Sequence, residues 1–182
     1  MRKGILVLLL GLLALLIPGT LIKSVNPALI VPNFLLILLV FLAFYRGEPG
    51  DAVLAFLLGL EQDLGSLNLL GPWAGAYIVV FGVLALLSRR IFIESRLVIF
   101  VTVYAATLAA DFLYLGMLAL VYEAEVVSSA SLSTALWEGF LSALFAPLLF
   151  PLLRRWLVGD RREKQSRLSR GIAVRRDGGG LV

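Results

Sequence analysis

Six long apolar runs follow one another along this chain of 182 residues, separated only by short groups of charged residues, prolines and glycines. Those breaks place the runs at about 4–23, 27–45, 50–67, 71–88, 97–122 and 132–156. Each is near the roughly 20 residues that a helix rising about 1.5 Å per residue needs to cross a hydrocarbon core of about 30 Å. The hydrophobic share of 60%, against about 45–50% in soluble domains, points the same way. The expected fold class is therefore an all-α integral membrane protein, a compact bundle of six transmembrane helices over residues 1–157. Such a chain has no room for a separate soluble catalytic domain.

A net charge of +4 would suggest nucleic acid in a soluble protein, but position gives the charge another meaning here. If Arg2 and Lys3 lie in the cytoplasm, six crossings bring Arg46, Arg89, Arg90, Arg96, Arg154, Arg155 and the basic C-terminal segment to the same side. Only Lys23 of the 16 basic residues then falls outside. That asymmetry is the positive-inside pattern, and it predicts two cytoplasmic termini, with membrane lipids rather than nucleic acid against the chain. Trp73, Tyr77 and Tyr122 fall near the expected outer ends, and Tyr45 and Trp156 near the inner ends, where amphipathic rings settle. The first run starts like a signal peptide, yet it is long and no A-x-A cleavage pattern follows, so it is expected to stay as a membrane helix. Residues 158–182 are basic and poor in apolar side chains. They are expected to form a disordered cytoplasmic tail, attracted to anionic lipid by about 1 kcal/mol per Lys or Arg near the surface.

With no Cys and no His, the chain lacks the means for disulfides, thiol nucleophiles, imidazole acid–base chemistry and the usual zinc or haem sites, and no cofactor is expected. The polar groups left inside the apolar runs include several acids. Glu61, Gln62 and Asp63 stand side by side in the third run with no basic residue nearby. Helical spacing puts Gly59, Gln62, Asp63 and Ser66 on one small polar face, where Gly59 lets a neighbouring backbone approach. Glu61 lies about 200° from Asp63 around the same helix, so the two acids serve different surroundings, and Glu61 is expected to meet a partner or the membrane interface. The fifth run carries a stripe of Tyr104, Thr107, Asp111 and Tyr114, and the sixth one of Thr134, Glu138 and Ser142. Counted along the helices, Asp63 stands about 18 Å from the level of Asp51 and Asp111 about 22 Å from that of Arg96, so both reach the outer half of the bilayer with Glu138. A charged carboxylate at mid-membrane costs roughly 2.5–3.5 kcal/mol. The three stripes are therefore expected to meet in an outward-facing polar core and to hydrogen-bond neighbouring helices.

Several segments together resemble one known family. The second run opens with PNFLLILLVFLAF, GLEQDLGSLNLLG joins the third to the fourth, and the fifth contains LAADFLYL. In this order, over about residues 1–157, they are similar to the rod shape-determining protein family MreD. Members typically carry Pro-Asn or Pro-Asp at the start of the second helix, then a G-L-x-x-D-L segment followed by Leu-Gly, an Asp in the fifth helix and a Pro in the last. The matching positions are Pro32 with Asn33, Gly59 with Leu60, Asp63 with Leu64, Leu70 with Gly71, Asp111, and Pro147. Two departures stand out: Glu61 occupies a usually apolar position, and Gly65 precedes Ser66 where the family often has a Ser-Gly pair.

The resemblance implies a non-enzymatic scaffold subunit of the cell-elongation machinery, or elongasome, in the bacterial inner membrane, acting in cell shape and peptidoglycan synthesis. It further implies an MreC-like bitopic partner and, through it, a RodA-type transglycosylase, a class B penicillin-binding transpeptidase and the cytoplasmic actin-like filament. Taken with the polar stripes, Pro32, Asn33, Gly59, Gln62, Asp63, Gly71, Asp111, Glu138 and Pro147 are the candidate helix-packing or partner-binding residues, with no catalytic, cofactor or metal residue among them. Two other classes compete. Small-molecule binding, as in the substrate-binding subunits of energy-coupling-factor transporters, needs an outer pocket of convergent polar and aromatic groups, with EAEVVSSASLST as a lid. An intramembrane aspartyl hydrolase needs Asp63 and Asp111 to share a proton as a dyad.

Overall fold

A computed structural model of the chain describes residues 2–16, 30–45, 49–66, 70–90, 95–122 and 129–158. Among these residues there are six helices and no strands: α1 (Arg2–Leu16), α2 (Phe34–Tyr45), α3 (Pro49–Ser66), α4 (Pro72–Leu87), α5 (Arg96–Tyr122) and α6 (Ser129–Leu153), the last running on into a π-helical turn at Arg154–Val158. Two segments, Arg96–Leu120 and Leu132–Leu157, are long and apolar enough to cross a membrane, while the apolar helices Gly4–Leu16, Phe34–Tyr45 and Pro72–Leu87 are shorter. The expected tail from residue 159 onward lies outside the described residues, as does the segment 17–29.

The centre of the bundle is α2. Its sequence, FLLILLVFLAFY, has no polar face, and a helix that is apolar all round is stable only where every side is covered. Leu35 through Ala43 are buried without a break, and α2 touches all five other helices. Around it α3 pairs most extensively with α4, and α5 with α6, while α1 lies on α2 and α3. At the C-terminal end of α2, Phe41 stacks on Tyr45 at 4.7 Å, and Phe150 of α6 meets both edge-on at 5.6 and 6.0 Å. The Arg154 guanidinium sits 5.8 Å above the Tyr45 ring. Outward, the molecule presents leucine: Leu120 is 88% exposed, and Leu97, Leu148 and Leu86 also stand clear of the bundle.

Two boundaries differ from the sequence reading in an informative way. The second helix, expected from residue 27, starts only at Phe34, with residues 30–33 non-helical. Pro32 disfavours the helical conformation for Val31 before it, and Asn33 closes the helix end with its side chain. In α6, Pro147 and Pro151 both lie inside the helix, and each removes an N–H from the backbone ladder. The wider π-helical turn follows three residues after Pro151, ending with Leu157 buried against the core.

Candidate functional site

The first turn of α4 is held by a side chain from another helix. A helix leaves its first N–H groups without intrahelical partners, and those at the start of α4 turn toward α3. The Asp63 carboxylate accepts from all of them that exist: Gly71 N–H to Oδ2 at 2.9 Å, Trp73 N–H to Oδ1 at 3.0 Å and Ala74 N–H to Oδ2 at 3.1 Å. Pro72, at the first helical position, has no N–H to satisfy. Asp63 is therefore a remote N-cap, with its acceptor oxygens at the positive end of the α4 dipole. Ser66 secures the same turn of α3 by donating its hydroxyl to the Asp63 carbonyl at 2.8 Å.

Two glycines make this reach possible. A Cβ on Gly59 would stand 2.5 Å from the Ala74 Cα and 2.8 Å from the Trp73 carbonyl oxygen, so α3 and α4 touch backbone to backbone one turn before Asp63. Gly71 takes φ +121°, a conformation that L side chains rarely adopt, and its carbonyl accepts the first i−4 bond of α4, from Gly75 N–H at 2.8 Å. The G-L-x-x-D-L…L-G pattern thus encodes one device: close approach, carboxylate, sharp turn, helix start.

A second cap closes α2. Asn33 Oδ1 accepts from Leu36 N–H at 3.1 Å, the N-cap bond, and from the Tyr77 hydroxyl of α4 at 3.2 Å. The Asn33 backbone N–H donates to Ser142 Oγ of α6 at 2.8 Å, and that hydroxyl donates in turn to the Glu138 carbonyl one turn earlier at 2.7 Å. Pro32 contributes its carbonyl to Phe34 N–H at 3.1 Å. Three helices, α2, α4 and α6, meet at this one asparagine.

Tyr77 links the two caps. Fully buried at 0% exposure, it lies within electrostatic reach of Glu138, Asp111 and Asp63. Asp111, 7% exposed on α5, interacts with Glu138 as well. Thr107, one turn before Asp111, is buried and donates to the Val103 carbonyl within its own helix at 2.9 Å. Of the sequence-predicted residues, Asn33 bonds this tyrosine, Asp63, Asp111 and Glu138 lie within its electrostatic reach, and Gly59 and Gly71 position Asp63. Gln62 is half-buried on α3 outside this network, and Pro147 sits on α6 toward the opposite end of that helix.

Sequence reasoning missed two features. Tyr77 and Trp73, read as membrane-interface rings, are interior: Trp73 packs edge-on to Tyr77 at 5.8 Å and stacks on Tyr114 of α5 at 4.2 Å. The signal was available, because Trp73, Tyr77, Val80, Phe81 and Leu84 recur at helical spacing as the buried face of α4. Glu61, expected at a partner or the interface, is half-buried and lies over Gly11 of α1, where an added Cβ would collide with Glu61 Oε2 and stand 2.6 Å from Leu58 Cδ2. Farther along the same pair of helices Leu15 packs on Gly65.

Chemically, this arrangement joins helices. Both oxygens of Asp63 accept from backbone N–H groups, so its visible role is to hold the start of α4. No group of three or more Asp or Glu side chains suited to a metal ion occurs among the described residues. Compared with known protein families, the chain matches the rod shape-determining protein MreD over residues 2–156. No curated protein and no solved structure matches it.

Proposed function

The chain belongs to the MreD family of rod shape-determining proteins, and from that premise we propose that it is a non-enzymatic scaffold of the bacterial cell-elongation complex. In this reading the six helices all cross the inner membrane with both termini in the cytoplasm. The bundle binds and positions an MreC-like bitopic protein, and through it a RodA-type transglycosylase and a class B penicillin-binding transpeptidase that build peptidoglycan. The family match across nearly the whole bundle carries the proposal. Its support in the geometry is that the motif residues Asn33, Gly59, Asp63 and Gly71 act on helix ends and crossings, so the motif maintains a shape for others to dock on. The basic segment beyond residue 158 belongs to the cytoplasmic face in the same reading.

Co-purification from bacterial membranes tests it. The intact chain is expected to retain an MreC-like protein and to restore rod shape to cells lacking their own copy. A Gly59→Leu chain that still reaches the membrane is expected to lose both. Recovery of the partner and rod shape by that variant, or failure of the intact chain to hold any such partner, would overturn the proposal.

A further inference from the structure

The Asn33 cap leaves a buried donor unmatched, and Asp111 of α5 carries a buried acceptor in the same condition. Asn33 is 5% exposed, and two donors, Leu36 N–H and Tyr77 O–H, converge on its Oδ1. That convergence fixes which way the amide is turned, so Nδ2 faces away from both donors. Buried there, Nδ2 meets no acceptor among the described residues, and Oδ2 of Asp111, equally buried, meets no donor. A polar atom sealed from solvent without a partner is costly, and native interiors rarely retain one. The helices that carry the two groups pack on each other, α2 on α5, and Tyr77, bonded to Asn33, lies within electrostatic reach of Asp111.

The chemistry of the two atoms selects their ligand. Asn33 Nδ2 carries hydrogens and no free lone pair, so a cation has nothing to bind on that side, while Asp111 Oδ2 rejects an anion. A group serving both must accept from one and donate to the other. A hydroxyl oxygen does so, and water is the smallest, offering two donors and two acceptors to a site enclosed by side chains more than nine-tenths buried. We propose that Asn33, Tyr77 and Asp111 enclose a binding site for a single structural water, which accepts from Asn33 Nδ2–H and donates to Asp111 Oδ2. Through this water α5 joins the polar junction that already ties α2, α4 and α6 together. Asp111 is then a ligand to water, distinct in role from Asp63, whose partners are backbone N–H groups.

Solid-state NMR on the full-length labelled chain in lipid bilayers tests the assignment by following magnetisation from water protons to the Asn33 side-chain amide. The expected result is transfer to Asn33 Nδ2 from a slowly exchanging water, at a site where the flanking leucines of α2 receive none. Asp111→Asn keeps one acceptor oxygen and is expected to keep the transfer, whereas Asp111→Leu reduces it to background. Absence of transfer in the unmodified chain, a direct contact of Asn33 Nδ2 with Asp111, or magnetisation arriving from a lipid hydroxyl would each overturn the proposal. The unmodified chain decides these outcomes even if Asp111→Leu fails to fold.

Discussion

Asp63→Asn would leave one acceptor oxygen where two now receive three N–H groups, and would turn an amide nitrogen toward either Trp73 N–H or the Gly71 and Ala74 pair. One such buried mismatch costs about 1–3 kcal/mol. Thermal unfolding of the purified protein in detergent should show that loss for Asp63→Asn and a larger one for Asp63→Leu, which orphans all three donors. Gly71→Ala isolates a different cause. No atom stands within 4 Å of the added Cβ, so the whole effect comes from holding alanine at φ +121°, about 1–3 kcal/mol in the same assay. At this scale the sequence was readable where a residue's role follows from spacing, as for Gly59 and Asp63 on one face. It was unreadable for Tyr77, because amphipathic rings suit both an interface and a satisfied interior, and only the Asn33 acceptor from another helix decides between them.

Between elements, the glycines separate two kinds of contact. Gly59 faces the backbone of α4, which has no rotamer to change, while Gly11 and Gly65 face the ends of Leu58, Glu61 and Leu15, which can swing aside. Alanine at each of the three positions should therefore rank Gly59 as far more damaging than Gly11 or Gly65. The spread should reach a few kcal/mol, since overpacking by about a methyl typically costs 1–3 kcal/mol and rigid neighbours raise it. Measured unfolding midpoints that came out equal for the three would contradict this account of the α3–α4 crossing. The existence and order of the six helices were legible from the apolar runs alone. The late start of α2 was missed by the length rule, which its preceding apolar residues satisfy, although Pro32 and Asn33 signalled it and the Leu36 N–H bond to Asn33 Oδ1 now fixes it.

For the molecule as a whole, the proposed topology can be read with one reagent. The chain contains no cysteine, so a single introduced thiol is the only reactive one. Leu70→Cys, at the turn before α4, should react with a membrane-impermeant maleimide added to intact spheroplasts. Cysteine in place of Arg89 or Arg155 should react only after the inner face is opened. Reversed labelling would invert the topology, and labelling of Arg89 and Arg155 variants from opposite faces would break the six-crossing count. The central place of α2 also bears on how the protein is made. Synthesis delivers this helix second, when four of the five neighbours that will surround it do not yet exist, and the Asn33 backbone N–H waits for Ser142, 109 residues later. The core is therefore completed only when α6 has been made, and a chain arrested before α6 would leave one side of its most apolar helix uncovered.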